Sequence, residues 1–176
     1  MNRPPTRVAA VAMSLCFLVS GCSQSGQHST GPLSFDTSYS APSNWKLVEE
    51  GLWGLRFNIP PGLEQKESAN RSLWIHEGTN LRVIVDFGNT SPDSVKQKPH
   101  YSEVRLVVNG LPAVVCSYDR ANNSAAGSLN KVVALFFLDK RKTLGGREPS
   151  YRVEYAADDD RATALQILQT VRFYDS

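Results

Sequence analysis

The chain has 176 residues, of which 41% are hydrophobic and 20% charged, enough to build one domain around its own core. Its 19 Lys+Arg and 17 Asp+Glu give a formal net charge of +2. Arg3 and Arg7 lie in the N-terminal leader, and the rest of the chain holds 17 charges of each sign, which excludes the basic excess of a nucleic-acid binder.

Residues 1–21 have the three parts of an export signal: Arg3 and Arg7 with no acid, the apolar run Val8 to Val19, then small residues before Cys22. A run of this length falls short of the roughly 20 residues that span a bilayer. The sequence Val19-Ser20-Gly21-Cys22 resembles the lipobox of bacterial lipoproteins. That resemblance implies a diacylglycerol on the Cys22 thiol, cleavage just before it and acylation of the new amine, so that membrane lipid becomes a partner. Each buried methylene is worth about 0.8 kcal/mol, and two or three acyl chains hold firmly. Ser23, in place of an Asp that would retain the protein at the inner membrane, favours the outer membrane and a periplasmic orientation. Of the other cysteines, Cys16 leaves with the signal and Cys116 alone remains in the folded part, so the core works without an internal disulfide.

Residues 23–44 contain seven serines, two glycines and two prolines, with Asp36 the one charge. Such a segment buries too little to offset the cost of ordering and reads as a flexible tether, about 25 Å in typical span and roughly 75 Å at full stretch. A strand docked through Leu33, Phe35 and Tyr39 is the less favoured reading. The organisation expected is therefore a signal at 1–21, a lipidated cysteine and tether at 22–44, and one domain at 45–176.

Within the domain, Leu55, Phe57 and Ile59 alternate in a strand from Leu52 to Ile59, which Pro60-Pro61-Gly62 stops. Leu73 to His76 and Leu81 to Phe87 follow as strands. Ser91-Pro92 starts one or two helical turns, with serine as cap and proline in the first turn. The strongest local signal is Asn109-Gly110 between Glu103–Val108 and Leu111–Asp119, a β-hairpin on a type I′ turn. Residues 120–130 read as a polar loop. Lys131 to Leu138 is apolar on both faces and so central in its sheet. Residues 140–149 form a turn, and Tyr151, Val153 and Tyr155 alternate in a further strand. Ala164, Leu165 and Leu168 mark a helix, with Asp158, Asp159 and Asp160 placed to cap its free amides, and Val171 to Phe173 adds a short last strand. The fold class is α+β: a single antiparallel sheet of about seven strands with the C-terminal helix on one face.

The strand and turn Gly54-Leu55-Arg56-Phe57-Asn58-Ile59-Pro60-Pro61-Gly62, the hairpin with Asn109-Gly110-Leu111-Pro112-Ala113, and the closing helix followed by Val171-Arg172-Phe173 resemble PsbP-like domains over residues 45–175. The resemblance implies a curved antiparallel sheet flanked by helices and a non-enzymatic, partner-binding role.

No catalytic or cofactor motif accompanies these elements. His28, His76 and His100 are scattered without metal-ligand spacing, and His76 reads as a solvated strand end. Cys116 alternates with Val114 and Tyr118 as a core residue, and Gly145-Gly146 lacks a phosphate-loop context. The expected function is that of an envelope lipoprotein binding a protein partner, with no enzymatic activity, cofactor, metal or nucleic acid. The crowded turn of Lys140, Arg141, Lys142 and Arg147 is the candidate contact with anionic lipid or an acidic partner. The alternative is a carrier or sensor of a small apolar ligand in the periplasm, suggested by Trp53, Phe57, Trp74, Phe87, Phe136 and Phe137.

Overall fold

Alternating apolar residues become strands throughout the computed structural model, which describes residues 33–50, 54–68, 73–88, 90–120, 128–139 and 149–173. In chain order these are β1 (Lys46–Glu50), β2 (Leu55–Ile59), β3 (Glu64–Lys66), β4 (Leu73–Glu77), β5 (Leu81–Phe87), α1 (Pro92–Val95), β6 (Ser102–Val108), β7 (Leu111–Asp119), β8 (Lys131–Phe137), β9 (Pro149–Tyr155), α2 (Arg161–Gln169) and β10 (Arg172–Phe173). Every strand pairing is antiparallel.

The strands form two sheets, not the single sheet expected: a seven-stranded one ordered β3-β4-β5-β9-β8-β7-β6 and a three-stranded one ordered β1-β2-β10. The reason lies at the ends of β2. Gly54 enters it with φ 62°, and Pro60-Pro61-Gly62, with Gly62 at φ 88°, turns the chain away after it. β2 therefore takes its partners from the two flanks of the domain, Val48 opposite Phe57 and Arg172 opposite Arg56. Its Leu55, Phe57 and Ile59 are buried and lie, together with α2, over one face of the large sheet. Burying a side chain of this size is worth about 1.5–3 kcal/mol.

The Asn109-Gly110 turn has φ of 52° and 75°, the two positive values of a type I′ turn, and β6 pairs with β7 from Val108↔Leu111 to Ser102↔Ser117. β8 lies between β9 and β7, inside the sheet as its two apolar faces require. α1 is capped as the sequence predicts, with the Ser91 and Ser94 side chains each accepting from the other's backbone N–H.

The acidic triplet does something different from the expected cap. Asp158–Asp160 form a 3-10 turn ahead of α2. The Asp158 carboxylate accepts from Lys131 Nζ at 2.8 Å, and Asp160 accepts from the Ala157 N–H behind it. The Asp158 and Asp160 carboxylates are thus engaged outside α2, which has no side-chain cap bond of its own. At the far end of α2, Thr170 Oγ1 accepts from the Asn58 N–H at 2.8 Å and ties the helix to β2.

The segment from Phe35 to Tyr39 lies on the domain. Phe35 packs against the core, and Asp36 accepts from both the N–H and the hydroxyl of Ser38 in an Asx turn. The Arg172 guanidinium donates to the carbonyls of Thr37 and Tyr39 at 3.2 and 3.1 Å while also holding those of Gln169 and Val171. One cation thus fastens residues from both ends of the described chain.

Candidate functional site

Successive residues of a strand point to opposite faces, so the large sheet has a second face built from the residues between the core positions. On β5 and β9 these residues are Arg82, Ile84 and Asp86, and Ser150, Arg152 and Glu154, with Arg82 directly opposite Glu154. On β7 and β8 they are apolar: Val114, Cys116, Tyr118, Val132, Ala134 and Phe136 form a second cluster under Val95 of α1. Four of the six residues on the β5–β9 half are charged. Yet Asp86, Ser150 and Glu154 are buried, at 1%, 0% and 3% exposure.

Buried charge requires partners, and here they come from neighbouring strands. Arg82 donates to Glu77 of β4 through Nε at 2.9 Å and through a terminal nitrogen, and to Glu154 at 3.3 Å. Arg120, just after β7, donates to the same Glu154 oxygen at 2.9 Å. The bond to Glu77 is the main reason the Arg82 guanidinium is held above its ordinary basicity. Farther along, Thr90 donates to Asp86 at 2.7 Å, and Arg152 comes within 4.0 Å of the same carboxylate. The signal that could have revealed this row was the sign pattern of the two strands: Arg-x-x-x-Asp on one and Arg-x-Glu on the other, brought into antiparallel register.

Over Arg82 and Arg120 opens a cleft of 310 Å³, lined by Glu77, Gly78, Thr79, Arg82, Arg120, Ser128 and Leu129. Gly78 is needed in its wall, because a Cβ there would stand 2.9 Å from the Gly62 carbonyl oxygen and from Leu63 Cδ2. Chemically the cleft is a closed ion-pair relay. Glu77 and Glu154 are both engaged with guanidinium groups, and among the described residues its lining holds neither a histidine nor a thiol. The arrangement ties β4, β5 and β9 to the residue that follows β7.

The residues singled out in the sequence fall as follows. Cys22, Lys140, Arg141, Lys142 and Arg147 lie outside the described residues, as do His28 and Trp53. Cys116 is free and fully buried, and burial, with Glu103 adding to it, pushes its thiol up to about 12, so it stays protonated and inert. His76 is not a solvated strand end. It is 3% exposed, on the core side of β4, with its ring edge-on to Phe57 at 6.0 Å and its Nε2 without a hydrogen-bond partner. The strand continues past it to Glu77, and the small sheet covers it. Among the described residues no three His, Cys, Asp or Glu side chains gather as a metal site. Phe57, Phe87, Phe136 and Phe137 are all core, with edge-to-face contacts joining Phe57 and Phe137 to Tyr151 at 5.7 and 6.3 Å. Phe57, Phe87 and Phe137 belong to the main core, and Phe136 to the cluster on the opposite face of the large sheet.

The outer edge of β6 is an open edge of the large sheet among the described residues. This strand ends the large sheet, and Val107 on it is 61% exposed. Glu103 and Arg105 share its side of the strand, joined by an Nε–carboxylate bond of 3.3 Å.

With a small sheet and a C-terminal helix side by side on one face of the large antiparallel sheet, the fold is a PsbP-like α+β one. The solved structure that shows it is cyanobacterial PsbP from Synechocystis, with a TM-score of 0.52, 9% identity, and coverage of 82% of this chain and 100% of that one. The Ran-binding protein Mog1p of Saccharomyces cerevisiae is also similar, with a TM-score of 0.43, 12% identity, and coverage of 75% and 96%. No family model matches the sequence, and no curated protein does.

Proposed function

We propose that this chain is a lipid-anchored protein of the bacterial cell envelope, held in the membrane through acylated Cys22 and acting as a non-enzymatic module that binds another envelope protein. The observation that carries this reading is Val19-Ser20-Gly21-Cys22 at the end of the apolar run Val8 to Val19. The inert thiol of Cys116 and the fully paired carboxylates of the cleft support a binding role over a catalytic one. Ser23 after the cysteine favours the outer membrane, with the domain on the periplasmic side.

The docked segment sets how far such a domain stands from its anchor. Because Phe35 packs on the core and Arg172 grips the carbonyls of Thr37 and Tyr39, the leash runs only from Cys22 to Phe35. Thirteen residues reach at most about 45 Å. If the turn with Lys140, Arg141, Lys142 and Arg147 meets an anionic membrane surface, each basic residue adds about 1 kcal/mol of attraction.

The test is mass spectrometry of the mature N-terminus together with fractionation of a Cys22→Ser variant. A diacylated cysteine at position 22, and release of the variant from membranes, are the expected results. A mature chain that begins elsewhere without lipid, or a variant that still sediments with membranes, overturns the proposal.

A further inference from the structure

We infer that the outer edge of β6 is the seam of a two-fold symmetric dimer, in which β6 of a second copy adds antiparallel to make one continuous sheet. The hairpin geometry determines which backbone groups are available. Val108↔Leu111 closes a two-residue turn and exchanges hydrogen bonds, so Leu106, Val104 and Ser102 also bond inward to β7, and Glu103, Arg105 and Val107 point their N–H and C=O groups outward. No described residue pairs with that outer side, and an unpaired row of this kind is a template for another strand.

The occupant is set by charge. Two copies of β6 that cross at Val104 place Glu103 opposite Arg105 of the second copy, and Arg105 opposite its Glu103, both in hydrogen-bonded positions. The same alignment lays the exposed Val107 beside Tyr101 of the second copy. Each neighbouring register with the same backbone pairing is penalised: crossing at Glu103 sets Glu against Glu, and crossing at Arg105 sets Arg against Arg. A single register of the strand with itself therefore satisfies backbone and side chains together. Arg105 retains capacity for it, since its bond to Glu103 uses only Nε and its side chain is 63% exposed. The opposite edge of the sheet offers nothing comparable, because β3 has three residues, Glu64, Gln65 and Lys66, all exposed and polar.

The experiment is site-directed disulfide formation in the full chain. Val104 would face its own equivalent as a non-hydrogen-bonded pair with Cα atoms about 4.5 Å apart, inside the range a disulfide bridges. Under mild oxidation Val104→Cys should give a covalent dimer whose linkage maps to residue 104, at least five times the yield of Leu106→Cys. Adding Glu103→Arg or Arg105→Glu to Val104→Cys should cut that yield about fivefold. Mixing the two charge variants should restore it, because each then meets its complement. Thermal melts of the variants check that the fold is retained. Equal yields at 104 and 106, indifference to the charge changes, no restoration on mixing, or cross-linking only to a different protein would each overturn the proposal.

Discussion

On the side of the large sheet that carries α2 and the small sheet, Val83, Val85, Leu135, Tyr151 and Val153 meet Phe57, Ile167 and Leu168. On the other side, Arg82, Asp86 and Glu154 occupy the β5–β9 half, next to Ala134 and Phe136 in the β7–β8 half. Both sides are buried, but they are held together differently. The first loses stability in proportion to the apolar volume removed. The second loses it according to which charge is left without a partner. Substitutions that separate these two behaviours test the comparison directly.

The largest effect should come from the first side. Phe57 is completely buried and touches Tyr151 and His76 edge-on. Phe57→Ala should destabilise the domain by about 3–5 kcal/mol, the usual cost of an aromatic truncation in a packed core. Urea denaturation followed by tryptophan fluorescence will measure it, and a loss under about 1.5 kcal/mol would mean that the small sheet is not packed as described.

On the second side, Glu154→Ala should cost about 2–3 kcal/mol. That is below the full penalty of breaking a buried pair, because Arg82 and Arg120 are 33% and 41% exposed and can rehydrate once the carboxylate is gone. Arg120→Ala should cost less than Glu154→Ala, since Arg82 still satisfies the buried carboxylate. If the two substitutions cost the same in denaturant titrations, Glu154 is not the hub of this face.

How much of this was readable beforehand depended on whether the signal was local. Asn109-Gly110 specified its hairpin because a type I′ turn needs two adjacent positive φ values, which few other dipeptides supply. The closing helix was equally legible from the spacing of Ala164, Leu165 and Leu168, and the quoted PsbP-like segments pointed to the right class of fold. The division into two sheets was not legible, because β2 pairs with strands from the two sequence flanks, and β1 and β3 (Lys46–Glu50 and Glu64–Lys66) are too polar to show alternation. Alternation did not reveal the β5–β9 row either: it tells which side chains share a face, but gives no information on whether that face is covered. Composition misjudged the docked segment for a similar reason, since Phe35 is one apolar residue in a serine-rich stretch and the partner that fixes its surroundings, Arg172, lies more than 130 residues away.

Arg172 gives a smaller and more local effect. Arg172→Ala removes the donors that hold the Thr37 and Tyr39 carbonyls, and should cost about 1–2 kcal/mol. The change should appear mainly as faster hydrogen exchange and earlier proteolysis between residues 35 and 41, with the β7–β8–β9 core unaffected. Uniform loosening of the whole domain would show that the guanidinium supports β10 more than the docked segment.

The smallest effect belongs to His76, the one histidine among the described residues that lies on the apolar side. Burial, and after it the nearby Lys46, hold His76 below the ordinary imidazole value of 6.5, so the folded domain keeps the ring neutral. Below that pH the unfolded chain takes up a proton at His76 that the folded chain does not. The unfolded state therefore binds more protons in this window, and stability rises with pH across it. The contribution is complete above about pH 6.5 and is lost as the pH falls from there toward the depressed folded value, where the loss stops. His76→Phe keeps an aromatic ring against Phe57 and removes the titration. Melting temperatures of the two proteins measured from pH 8 down to pH 5 should differ in slope only on the acid side of about 6.5, with the parent chain falling faster. The carboxylate pairs of the other face contribute to both proteins alike and cancel in the difference. Parallel curves would mean that the His76 ring reaches solvent, and that the two faces of the sheet are less distinct than their residues suggest.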